Sequence, residues 1–103
     1  MLTTITARQI AIPDALKTRA TLVVTRLARL AVRPTSAQIT FGQEHQRATA
    51  EIVLKAARGA VHVARAEAPA PRTAFDRASA KLRRQLDKHV EAPKHRARKV
   101  AAR

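Results

Sequence analysis

The chain has 103 residues, with 21 Lys and Arg against 7 Asp and Glu, a formal net charge of +14 and a pI of about 11.9. This length suits one domain, and the absence of Cys excludes disulfides, thiolate metal sites and a cysteine nucleophile. Trp and Tyr are absent and Phe occurs only at 41 and 75, which argues against a base-stacking aromatic platform, and no apolar run approaches the roughly 18 residues of a membrane span. Residues 2–7 (Leu-Thr-Thr-Ile-Thr-Ala) are short and β-branched and read as a first strand. Pro13 suits the first turn of a helix, and Asp14 suits the positive end of its dipole. Leu16, Ala20, Val23, Leu27 and Leu30 then form one apolar stripe, which Pro34 ends. Leu22 and Val24 lie off that stripe.

Residues 36–42 alternate around Ile39 and Phe41, and 42–46 are polar and turn-like. Residues 47–56 alternate again, with Ala48, Ala50, Ile52 and Leu54 on one face. Arg58-Gly59 signals a tight turn, and 60–66 give a strand around Val61 and Val63. These three strands predict an antiparallel meander. Pro69-Ala70-Pro71 breaks the chain, and Thr73 is placed to cap a second helix over 74–91. Its buried stripe is Phe75, Ser79, Leu82, Leu86 and Val90, and Pro93 stops it. Residues 92–103 carry five basic residues and no acid, and read as a disordered basic tail after a domain at 1–91. The order predicts an α+β fold, β-α-β-β-β-α, with two helices on one face of a four-stranded sheet. Residues 1–33 share the Arg- and Thr-rich composition of an organelle transit peptide, but their strand and helix periods make them part of the domain.

Charge of this sign and size calls for a polyanion, with nucleic acid ahead of an anionic membrane. Arg77, Lys81, Arg84 and Lys88 recur at steps of four, three and four, opposite the Phe75 stripe. They predict a basic ridge on the solvent face, suited to phosphates along an RNA backbone. Arg19, Arg26 and Arg33 recur every seven residues and flank the stripe of the first helix. Side by side, the two rows would border one groove.

Catalysis finds no support. His45, His62, His89 and His95 lack metal-ligand spacing, and His62 is expected to pack on or beside the sheet. Ser36 and Ser79 lack a nucleophile-elbow context. Two glycines, Gly42 and Gly59, cannot build a phosphate loop. The chain reads as non-catalytic, with no metal, no cofactor and no small-molecule substrate.

Several segments resemble the ribosome hibernation-promoting factor family, which includes ribosome-associated inhibitor A. Ile5-Thr6-Ala7-Arg8 with Pro13-Asp14-Ala15-Leu16 is similar to the family's opening. Ala50-Glu51, Val61-His62 and Ala66-Glu67-Ala68 resemble internal segments. Ala74-Phe75-Asp76 followed by Lys81-Leu82-Arg83-Arg84-Gln85-Leu86-Asp87-Lys88-His89 is the most specific match. The likeness covers roughly residues 3–91 and departs at Pro69-Ala70-Pro71-Arg72, where relatives are acidic and aromatic.

The resemblance implies a β-α-β-β-β-α domain of the short form. It implies a cytoplasmic monomer that binds the small ribosomal subunit, its rRNA and intact ribosomes near the decoding centre. There it would block mRNA and tRNA and reversibly inhibit translation under stress or in stationary phase. Carried over by position, Lys81, Arg84 and Lys88 would contact rRNA, and Arg8 matches a basic position after the first strand. With Arg26 and Arg77 from the charge pattern, the expected RNA-binding set is Arg8, Arg26, Arg77, Lys81, Arg84 and Lys88. The alternative is a double-stranded-RNA-binding module, whose α-β-β-β-α core also carries a basic second helix. An anionic-membrane or partner-protein adaptor is a third.

Overall fold

A computed structural model describes residues 1–88 with their side chains. The elements are β1 (Leu2–Ala7), α1 (Asp14–Ala28), β2 (Ser36–Glu44), β3 (Arg47–Lys55), β4 (Val61–Ala68) and α2 (Pro71–Ala102). α2 runs on past Pro93 to Ala102, so the expected stop before Pro93 is corrected. The burial of the stripe position Val90 and the side chains of the basic tail at 92–103 lie outside the described residues.

The sheet order is β1-β2-β3-β4. β1 pairs parallel to β2, which the intervening α1 makes possible, and the other pairs are antiparallel. The predicted β-α-β-β-β-α order and the α+β class are both present.

Register explains the layering. Ile39 faces Ile52 and Phe41 faces Ala50 across β2–β3, and Ile52 faces Ala64 across β3–β4. These side chains point to one face, and all are buried. β4 supplies only small residues to its buried row beyond His62, namely Ala64, Ala66 and Ala68. Small side chains let α2 lie close over β3 and β4, with Phe75, Leu82 and Leu86 fully buried beneath it. The rings of Phe41 and Phe75 meet at 6.1 Å, tilted by 40°.

Several local expectations need correcting. Val24, which lies off the predicted stripe, is fully buried, whereas Val23 is only partly so. α1 turns its Ala20–Val24–Ala28 row inward because the two alanines permit close packing. α1 also ends at Ala28, well before Pro34. The N–H groups of Arg29, Leu30 and Ala31 each bond back three residues, which tightens the chain out of the helix. Thr73 is not the cap of α2. The helix starts at Pro71, whose missing N–H costs nothing there, and Ala74 N–H bonds to Ala70. In β4 the buried residues are His62, Ala64, Ala66 and Ala68, while Val61 and Val63 are exposed. Pairing of Leu54 with His62 sets that phase.

Candidate nucleic-acid interface

The direction of each element places the charge. β4 runs parallel to β2, because both are antiparallel to β3. Both helices run back against these strands, so they are parallel to each other. The Arg19 guanidinium donates to Asp76 Oδ1 at 3.0 and 3.3 Å and ties α1 to α2. The C-terminal part of α1 and the Arg84–Lys88 turn of α2 therefore lie at one end of the sheet. That end also carries the β3–β4 connection.

Cations crowd there. Arg26 lies in the last turn of α1, with Arg29 and Arg33 after it. Lys55 ends β3, and Arg58 sits in the following turn. Arg84 and Lys88 are exposed and make no ion pair among the described residues. The nearby acid Asp87 is engaged by Arg83 at 3.8 Å. Cations near the end of α1 also complement its dipole.

The rest of the expected ridge divides. β4 is an edge strand, so half of its carbonyls lack a strand partner. Three of them accept from α2 instead. Arg77 donates to the Glu67 carbonyl at 3.0 Å, Lys81 to that of Arg65 at 2.9 Å and Gln85 to that of Val63 at 2.7 Å. The spacing fits, since four residues of helix rise about 6 Å and two residues of strand about 6.6 Å. Arg77 and Lys81 are thus exposed yet tethered. Gln85 was not among the expected residues, although its place at i+8 from Arg77 carries the signal.

Arg8 does not join this set. It follows β1 at the opposite end and borders a hollow on the uncovered sheet face with Thr40, Thr49, Glu51 and Arg65. Three of the seven acids, Glu44, Glu51 and Glu67, stand on that face. Arg65 donates to Glu44 at 2.7 Å, and Arg47 lies 3.9 Å from Glu67. The hydrogen bond and charge of Glu44 push the Arg65 guanidinium pKa up. Charge on this face is largely compensated, whereas at the helix C-terminal end it is not. His62 is buried on the helix-covered side of the sheet, as expected. Among the described residues no cluster of His, Asp or Glu could hold a metal ion, and no helix is long and apolar enough to cross a membrane.

Residues 3–94 match the family described as Sigma 54 modulation protein / S30EA ribosomal protein. The chain belongs to this family. Membership makes it a ribosome-associated modulation protein and bears out the resemblance read from the sequence. Its fold recurs in solved structures, among them two of this kind. The N-terminal domain of Thermus thermophilus Protein Y superposes with a TM-score of 0.73 at 23% identity, covering 86% of this chain and 99% of that one. A ribosomal subunit interface protein from Coxiella burnetii gives a TM-score of 0.70 at 23% identity, with 86% and 97% covered. No curated protein sequence matches this chain significantly. Within the S30EA family fold, the Pro69–Arg72 departure sits at the start of α2, away from the Arg84–Lys88 end.

Proposed function

We propose that this protein binds rRNA of the small ribosomal subunit near the decoding centre and inhibits translation by occupancy. The observation that carries the reading is the end of the molecule where Arg26, Arg84 and Lys88 are exposed together, inside the fold of a ribosome-associated family. Arg84 and Lys88 extend about 6 Å along the helix, close to the spacing of successive RNA phosphates. Both Phe rings are buried, so recognition rests on charge and shape rather than on aromatic stacking. Occupancy needs no reacting group. The protein fills space that mRNA and tRNA require, and each ligand weakens the other.

In this reading the protein acts in the cytoplasm as a monomer, on small subunits and intact ribosomes, during stress or stationary phase. Arg77 and Lys81 shape the interface from the β4 side, and Arg8 lies apart from it. The parallel β1–β2 pair and the family match favour this reading over a general double-stranded-RNA module. The test is competition on purified small subunits. Labelled protein is titrated with initiator tRNA and mRNA, and each should displace the other. Simultaneous, independent binding overturns the occupancy mechanism.

A further inference from the structure

The β3–β4 connection holds a feature that phosphate contacts alone do not need. Between it and the chain after α1 lies a hollow of about 420 Å³, lined by Val32, Ala56, Ala57, Arg58, Ala60 and His62. That volume is within the roughly 300–1,000 Å³ of small-ligand pockets. Its walls are mainly apolar. Val32 is 61% exposed at the rim, although nothing in the core requires a valine there.

The hollow is held in shape by the backbone. Ala57 N–H donates to the Val32 carbonyl at 3.0 Å, and Ala56 N–H to that of Ala60 at 2.9 Å. Thr35 N–H and its hydroxyl both donate to the Lys55 carbonyl, at 2.8 and 3.2 Å. Two arginines at this place occupy left-handed backbone. Arg58 has φ 62° and Arg33, next to Val32, has φ 49°. Glycine would hold both positions without strain, as Gly59 does beside Arg58 with φ 72°. Strain kept at Arg58, in the wall of the hollow, points to a task for its side chain. No acid lines the hollow.

A mainly apolar slot with the Arg58 side chain in its wall fits an unstacked RNA base with its phosphate. Arginine planes stack on bases, and both phenylalanine rings of this chain are buried. We infer that the hollow between Val32 and the Arg58–Gly59 turn receives one unpaired nucleotide of an RNA strand. This rests on the reading that the protein meets RNA, but it concerns a different contact from the Arg84–Lys88 ridge.

The test is an amide-shift NMR titration of the full chain with the ribotetranucleotide AAAA, with AMP and with inorganic phosphate. The tetranucleotide should give saturable shifts at Val32, Ala57, Arg58 and Ala60, and AMP should bind roughly tenfold more weakly because it lacks the flanking phosphates. Arg58→Gly and Val32→Ser should each weaken tetranucleotide binding at least roughly threefold. Arg58→Gly should not lower the melting temperature, since φ 62° suits glycine. Shifts absent from these amides, equal binding of AMP, the same shifts with phosphate alone, or unchanged affinity in both variants would each overturn the proposal. The subunit competition can succeed while this titration fails, and the reverse, so the two readings fail separately.

Discussion

The two flanks of α2 carry the same kind of charge and do different things with it. On the flank toward β4, Arg77 and Lys81 spend a donor each on the strand's open carbonyls, with Gln85 completing the row. On the outward side, Arg84 and Lys88 meet no acceptor among the described residues. The first flank closes a sheet edge that would otherwise invite another strand. The second keeps its charge available for a partner. A basic residue on a helix is therefore assigned to RNA by what its own fold leaves it free to do.

Breaking the outward side should have the largest effect. Arg84→Glu with Lys88→Glu should weaken small-subunit binding by on the order of 30-fold near physiological salt, from the counterions no longer released by two contacts. Stability in urea should stay unchanged, because neither side chain packs in the core. Sedimentation with subunits and urea denaturation read the two quantities. Retained binding by a folded double variant would remove α2 from the interface.

Breaking the β4 side should reverse the pattern. Arg77→Ala with Lys81→Ala should cost about 1 kcal/mol of stability, the sum of two exposed side-chain hydrogen bonds. It also bares the Glu67 and Arg65 carbonyls, so self-association by edge pairing should rise. Equilibrium denaturation and analytical ultracentrifugation measure both. A variant as stable and monomeric as the parent would show that the tethers have no structural role.

The sequence made the fold legible because its periods are clean. Phe75, Leu82 and Leu86 repeat with the helix, and Ala48, Ala50, Ile52 and Leu54 alternate with the strand, and the structure buries all seven. Phase was harder where large apolar residues are few or adjacent. In α1 Val23 and Val24 are adjacent and Val24 takes the buried place, and in β4 the buried row beside His62 is all alanine, so Val61 and Val63, the large apolar residues of the strand, stay exposed. The β2–β3 turn is found at 42–46 but read too wide, because β2 continues to Glu44. His45 and Gln46 take φ 49° and 65° in a two-residue hairpin that usually announces itself with Asn-Gly. At the interface, periodicity separated outward from inward on α2 but not ridge from tether. Arg77 and Lys81 lie opposite Phe75 on a helical wheel, and only the position of β4 beside the helix reveals their acceptors. Arg58 carried no periodic signal, since its role depends on which loops meet.

Salt dependence sharpens the same division more gently. Arg84→Gln should reduce the log–log salt slope of subunit binding by about 0.7–0.9, one phosphate contact. Lys81→Gln should reduce it by clearly less, because the ammonium is already held on the Arg65 carbonyl. Affinities measured across a salt series decide this. Equal changes would mean that the tether releases Lys81 to RNA on binding.

The smallest effect is expected on the third side of α2, which faces α1. There Asp76 accepts both donors of Arg19, and both side chains are a little over 40% exposed. An ion pair this wet is worth about 0.2–1 kcal/mol, so Asp76→Asn should lower stability by no more than that, and the loss should fade in high salt. The substitution also removes one negative charge, taking the formal net charge from +14 to +15. A partner that sensed only total charge would bind more tightly. Lys88, however, lies twelve residues along the helix from Asp76, about 18 Å away, which exceeds two screening lengths at physiological salt. Subunit affinity should then change less than about twofold under those conditions. A gain as large as the loss predicted for the Arg84 and Lys88 reversal would move the RNA onto the α1–α2 seam. The outward turn of α2 would then no longer be its principal contact.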